Sequence, residues 1–110
     1  MLPWIRLRSG FTPDYLRTIM RYDPKTGYLY WTAKRKGRRM GVPAGSVRKD
    51  GARVIGCGWT NCEAQELVWA YVTGKERFGP IRHYNGNKDD NRFENLYEDD
   101  GTGKPVIDFL

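Results

Sequence analysis

A chain of 110 residues has room for one domain around one apolar core, with burial of about two-thirds of its extended-chain surface. Four Trp, seven Tyr and four Phe can fill that core, and 19 Lys and Arg against 13 Asp and Glu leave a net charge of +6, which favours a polyanionic partner. No apolar run approaches the roughly 20 residues of a membrane span, and the start MLPWIRLRSG lacks the long apolar segment of a secretory signal, so the expectation is a cytoplasmic protein.

Thr12 followed by Pro13 is a sound helix start, and Tyr15, Leu16, Ile19 and Met20 make an apolar stripe at helical spacing, which predicts a helix from Pro13 to Tyr22. Asp23 to Gly27 is turn chemistry, and Tyr28 to Thr32 is rich in strand formers. Lys49-Asp50-Gly51 predicts a hairpin, with Ser46 to Arg48 entering and Arg53 to Cys57 leaving. Cys57 and Cys62 flank Gly58 to Asn61, a four-residue loop that sets the thiols opposite one another. One C-x4-C pair is a poor zinc site, so free thiols are expected, with a cross-strand disulfide as the alternative. Glu63 to Val72 reads as a second helix, with Leu67, Val68 and Tyr71 on one face, Trp69 in the core and Gly74 past its end. Gly79 to Tyr84 reads as a strand and Asp90 to Leu96 as a short helix capped by Asp89 and Asp90. The tail from Glu98 to Leu110 reads as a loosely held extension, with Val106, Ile107, Phe109 and Leu110 available for docking.

The basic residues cluster. Lys34, Arg35, Lys36, Arg38 and Arg39 form one loop, Arg48 and Arg53 follow on the hairpin, and Arg82, Lys88 and Arg92 surround the later turn. Each phosphate met by such a cation releases counterions, so double-stranded DNA is the expected partner; a merely solvated loop is the competing explanation.

The segment RHYNGNKDDNRFENL, Arg82 to Leu96, places the chain's single His in a Gly-Asn turn ahead of two Asn. It resembles the small phage-type HNH endonucleases, whose signature is Asp-His, a Gly-containing turn, Asn-Arg, two further residues and Asn-Leu. The resemblance runs from about Phe11 to Leu96 and takes in FTPDYLRTIMRYDPKTGYLYW, AGSVRKDGARVIG and QELVWAYVTGK. It implies an α+β fold, with helices and a small antiparallel sheet over residues 11–78, a ββα-metal unit over 79–97 and an extension over 98–110. It also implies that His83 is a general base, that Asn91 braces the hairpin and orients the imidazole, and that Asn95 is a ligand of Mg²⁺ or Mn²⁺.

Two positions depart from the family pattern. Arg82 stands where the family has the ligand Asp, and Gln65 where the second helix has His. A hard cation needs oxygen ligands, and a guanidinium offers five N–H donors and no acceptor, so the resemblance implies a site with a weakly bound ion or none. Arg82 either grips the phosphate that the ion would have held or forms a surface salt bridge to Asp89 or Glu94. Three functions follow as expectations. The first is a pseudoenzyme retained for DNA binding or for inhibition of a host defence protein. The second is an active Mg²⁺-dependent nicking or homing endonuclease. The third is a protein-interaction inhibitor that does not touch DNA.

Overall fold

The computed structural model describes residues 11–58, 60–75 and 79–106. Helix α1, Pro13–Ile19, begins where the Thr12 hydroxyl accepts the backbone N–H of Tyr15 at 3.1 Å. It stops earlier than the apolar stripe predicts, because Met20–Asp23 forms strand β1 and pairs with β2, Tyr28–Trp31. Met20 lies opposite Trp31 and Tyr22 opposite Leu29, while the Arg21 guanidinium sits 4.1 Å from the Tyr30 ring. Four cross-strand pairs with an aromatic strand outweigh one more helical turn.

Strands β3, Ser46–Val47, β4, Arg53–Cys57, and β5, Thr60–Glu63, form a three-stranded antiparallel sheet. The turn between β3 and β4 is closed by the Asp50 carboxylate, which accepts the N–H of Ala52. β4 and β5 run closer together than the cysteine spacing suggests. Cys57 opposes Thr60 and Cys62 opposes Ile55, so the two thiols are diagonal neighbours, not opposite partners. Both are buried and neither is in a disulfide among the described residues. A hydrogen bond with Cys62, then burial, pushes the Cys57 thiol above its ordinary range, which makes it an inert core group.

Helix α2, Ala64–Thr73, ends at Gly74, whose φ of 68° is the left-handed C-cap and whose N–H bonds the Ala70 carbonyl. Leu67 and Val68 are fully buried, whereas Trp69 and Tyr71 pack on the edge of the core as partly buried rings. One apolar cluster joins Leu16, Met20, Leu29, Ile55, Leu67, Val68, Ile81 and Leu96, and each fully buried aliphatic side chain contributes about 2 kcal/mol. Among the described residues no helix is long and apolar enough to cross a membrane.

The C-terminal third departs most from expectation. β6, Ile81–His83, pairs antiparallel with β7, Leu96–Glu98, and the helix foreseen over Asp90 to Leu96 is a single 3-10 turn, Phe93–Asn95. A seven-residue helix is marginal without a large apolar face, and Leu96 is already opposite His83 in the ladder. The tail is not loose where it begins. Glu98 and Asp99 are buried, Glu98 accepts the N–H of Gly79, and the Val106 N–H bonds the Glu98 carbonyl at 2.7 Å. Val106 is exposed, and Ile107, Phe109 and Leu110 lie outside the described residues. The result is a small α+β molecule with two helices and three small antiparallel sheets among the described residues.

Candidate functional site

His83 closes β6 on the inward side of the ladder, half-buried opposite Leu96. Its Nε2 donates to Asn91 Oδ1 at 2.7 Å, and the Asn91 side chain is almost completely buried. That bond fixes the ring and leaves Nδ1 as the ring nitrogen with no partner among the described residues. Asn91 is held in turn through its backbone. The Tyr22 hydroxyl donates to the Asn91 carbonyl at 2.8 Å and accepts the N–H of Phe93 at 2.8 Å, and burial raises its pKa. A strand of the first third of the chain thereby positions a loop near its end.

Asn95 is equally engaged. Its Oδ1 accepts the N–H of Asn85, and its Nδ2 donates to Asn85 Oδ1 and to the Asp90 carbonyl, each near 3 Å. These bonds knit the turn from 85 to 95, and Asn95 is only 6% exposed. The acids assigned to capping have other partners. Asp89 takes Arg53 through two bonds of 2.8 and 3.2 Å. Asp90 takes both Arg92 Nε and Nη2 at 2.8 Å together with the Asn85 amide, and these bonds hold its carboxyl down at about 2.

Arg82 pairs with neither Asp89 nor Glu94. Its Nε donates to Asp99 Oδ2 at 3.1 Å, and Asp99 is buried with its other oxygen accepting the N–H groups of Gly101 and Gly103. Those two backbone bonds first, and Arg82 next, hold the Asp99 carboxyl below its usual range. The outer face of the hairpin carries Arg82, opposite Tyr97, and Tyr84, whose ring centroid is 4.5 Å from that of Tyr97.

An open cleft of about 460 Å³ separates β6 and its turn from the start of α2. Arg82, His83, Lys88 and Tyr97 line it together with Asp50, Glu63, Gln65 and Glu66. Gln65 donates to Glu63 and is buried. Residues suited to a divalent ion do not converge here. No group of three or more His, Cys, Asp or Glu is arranged to hold a metal among the described residues, the position-82 side chain is a cation bound to Asp99, and the Asn95 oxygen is occupied. The donor set does not fit Mg²⁺ or Mn²⁺.

The ten cations foreseen as a DNA surface fall into two groups. Arg48 is shared by Asp50 and Glu63, Arg53 is only 14% exposed against Asp89 and the Tyr28 ring, and Arg92 lies between Asp90 and Glu94. Lys88 lies 3.9 Å from Asp50, and Arg38 stacks 4.1 Å over the Trp31 ring while bonding the Ala33 carbonyl. Lys34, Arg35, Lys36 and Arg39 are exposed and form no ion pair among the described residues. They form a local cluster of unpaired charge, beside a cleft of about 600 Å³ lined in part by Gly45, Gly56 and Gly58.

No family model, curated protein or solved structure matches the chain. The site therefore rests on its own geometry. Sequence reasoning brought His83, Asn91 and Asn95 to one place but missed Tyr22, Asn85 and Asp99. Tyr22 closed the stretch read as a helix and Asp99 stands in an acidic, glycine-rich tail, so neither carried a local signal; Asn85, in the turn after His83, was within the motif and gave one.

Proposed function

We propose that this chain is an HNH-like protein that does not cut and that acts by binding duplex DNA through its exposed cations. The β6–β7 hairpin with its intervening loop is, in this reading, a reduced ββα unit. The single observation that supports it best is the Arg82–Asp99 ion pair, at the position where a working site of that kind needs an acceptor for the metal. The unpaired Lys34, Arg35, Lys36 and Arg39 support the nucleic-acid part, because an exposed cation without an acid nearby is free to displace counterions from phosphate.

A second reading, inhibition of a host protein without DNA, is favoured by a different observation. Tyr84, 60% exposed, lies against Tyr97 on the same face as Arg82, and Tyr with Arg is the composition of protein-binding hot spots. Nicking of supercoiled plasmid in Mg²⁺ or Mn²⁺ tests the first reading. The natural chain is expected to be inert and Arg82→Asp to gain metal-dependent nicking. Nicking by the natural chain that is lost in His83→Ala overturns the proposal and makes the protein an enzyme.

A further inference from the structure

Arg82 is held in a way that serves something other than folding. A guanidinium that only neutralises a buried carboxylate does so best with two parallel N–H bonds, as Arg53 does on Asp89. Arg82 gives Asp99 a single bond, from Nε, and its side chain remains 55% exposed. Asp99 has less need of it, since Gly101 and Gly103 already donate to the other carboxylate oxygen. The terminal Nη groups make no hydrogen bond among the described residues. They are held in orientation on a stem that Asp99 fixes, which removes much of the rotamer entropy that an arginine ordinarily loses on binding an anion.

The surroundings suit one ligand class. Arg82 lines the 460 Å³ cleft with His83 and Lys88, and the carboxylates Asp50 and Glu63 in the same lining are engaged by Arg48, with Lys88 3.9 Å from Asp50. Glu66, which also lines the cleft, has an interaction partner of its own. The Tyr84–Tyr97 ring pair flanks Arg82 on the outer face and offers a π surface next to the guanidinium.

We infer that the Arg82 Nη groups, oriented by Asp99 and flanked by the Tyr84–Tyr97 pair, form a binding site for a phosphate oxyanion. The ligand in this reading is a phosphodiester of a nucleic acid, so the inference rests on the DNA-binding proposal for its biological source but not for its chemistry. The site is an anion clamp in the place where a cation would otherwise be held.

The test uses the full ¹⁵N-labelled chain. The guanidinium signals of Arg82 are assigned by their loss in Arg82→Lys and followed while dimethyl phosphate, inorganic phosphate and a short duplex are added separately. Arg82→Gln, an exposed change that leaves Asp99 its two backbone bonds, keeps the experiment interpretable if Asp99→Asn fails to fold. The expected result is a saturable shift of the Arg82 signals with dimethyl phosphate and about a tenfold loss of duplex affinity in Arg82→Gln. A stronger response to inorganic phosphate than to the diester assigns the clamp to a phosphate monoester and overturns the nucleic-acid source. Duplex binding that Arg82→Gln leaves unchanged, with no Arg82 response to either phosphate, overturns the clamp while the DNA-binding proposal stands. An Arg82 response without duplex binding overturns that proposal and keeps the clamp. Silence in every arm overturns both.

Discussion

At the scale of single residues the loop carrying the site is set by paired polar groups, and Asp90 shows how that pairing responds to acid. Its carboxyl is held at about 2, against 3.8 for a free aspartate, by Arg92 and then by the Asn85 amide. A depressed folded-state pKa means that the stabilisation is complete above the unfolded value and is lost as pH falls toward the folded one. The Asp90 contribution is therefore constant above about pH 4 and fades between 4 and 2. With the side chain 16% exposed, screening reduces it to about 1–2 kcal/mol. Thermal denaturation of the natural chain and of Asp90→Asn checks this: the gap in midpoint should shrink as pH drops from 4 to 2, and a pH-independent gap would show that Arg92 is not the cause. The same scale shows why some side chains were misread. The acidic residues Asp89 and Asp99 have partners 36 and 17 positions away, at Arg53 and Arg82, and charge alone does not say which cation comes near.

At the scale of elements, what was readable is what local chemistry decides. β4 over Arg53–Cys57 and the end of α2 at Gly74 follow from an Asp-Gly turn, β-branched residues and a C-cap glycine, all neighbours in sequence. The end of α1 and the 3-10 turn were not readable, because in both places a distant strand captures the backbone: β2 takes Met20–Asp23 and β6 takes Leu96. Gly27 marks where the first of these pairings touches the site. At φ 81° it lies with the Asn91 and Arg92 backbone where a Cβ would stand. Gly27→Ala should cost roughly 2–4 kcal/mol from strain and overlap together, whereas Gly37→Ala, at φ 85° in open space, should cost only about 1 kcal/mol. Urea unfolding midpoints compare the two, and equal losses would mean that the close approach at Gly27 is easily relieved.

At the scale of the whole molecule, the described cations include a set neutralised within the fold and an exposed cluster at 34–39. If Lys34, Arg35, Lys36 and Arg39 each meet a phosphate, the logarithm of duplex affinity should fall with the logarithm of salt at a slope of about −3 to −4. Fluorescence anisotropy between about 50 and 200 mM salt measures it, and replacing the four by Ser should flatten the slope to near −1. A slope indifferent to those replacements would place the binding surface elsewhere. The two surfaces also differ in when they come into being. The Tyr22 bonds to Asn91 and Phe93 span 69 and 71 residues, and Arg53 reaches Asp89 across 36. Contacts of that reach close only after the intervening chain has collapsed. The basic cluster lies within one short run of sequence, whereas the His83 loop is held by contacts that need most of the chain in place, so a partner that reads both surfaces requires the finished fold.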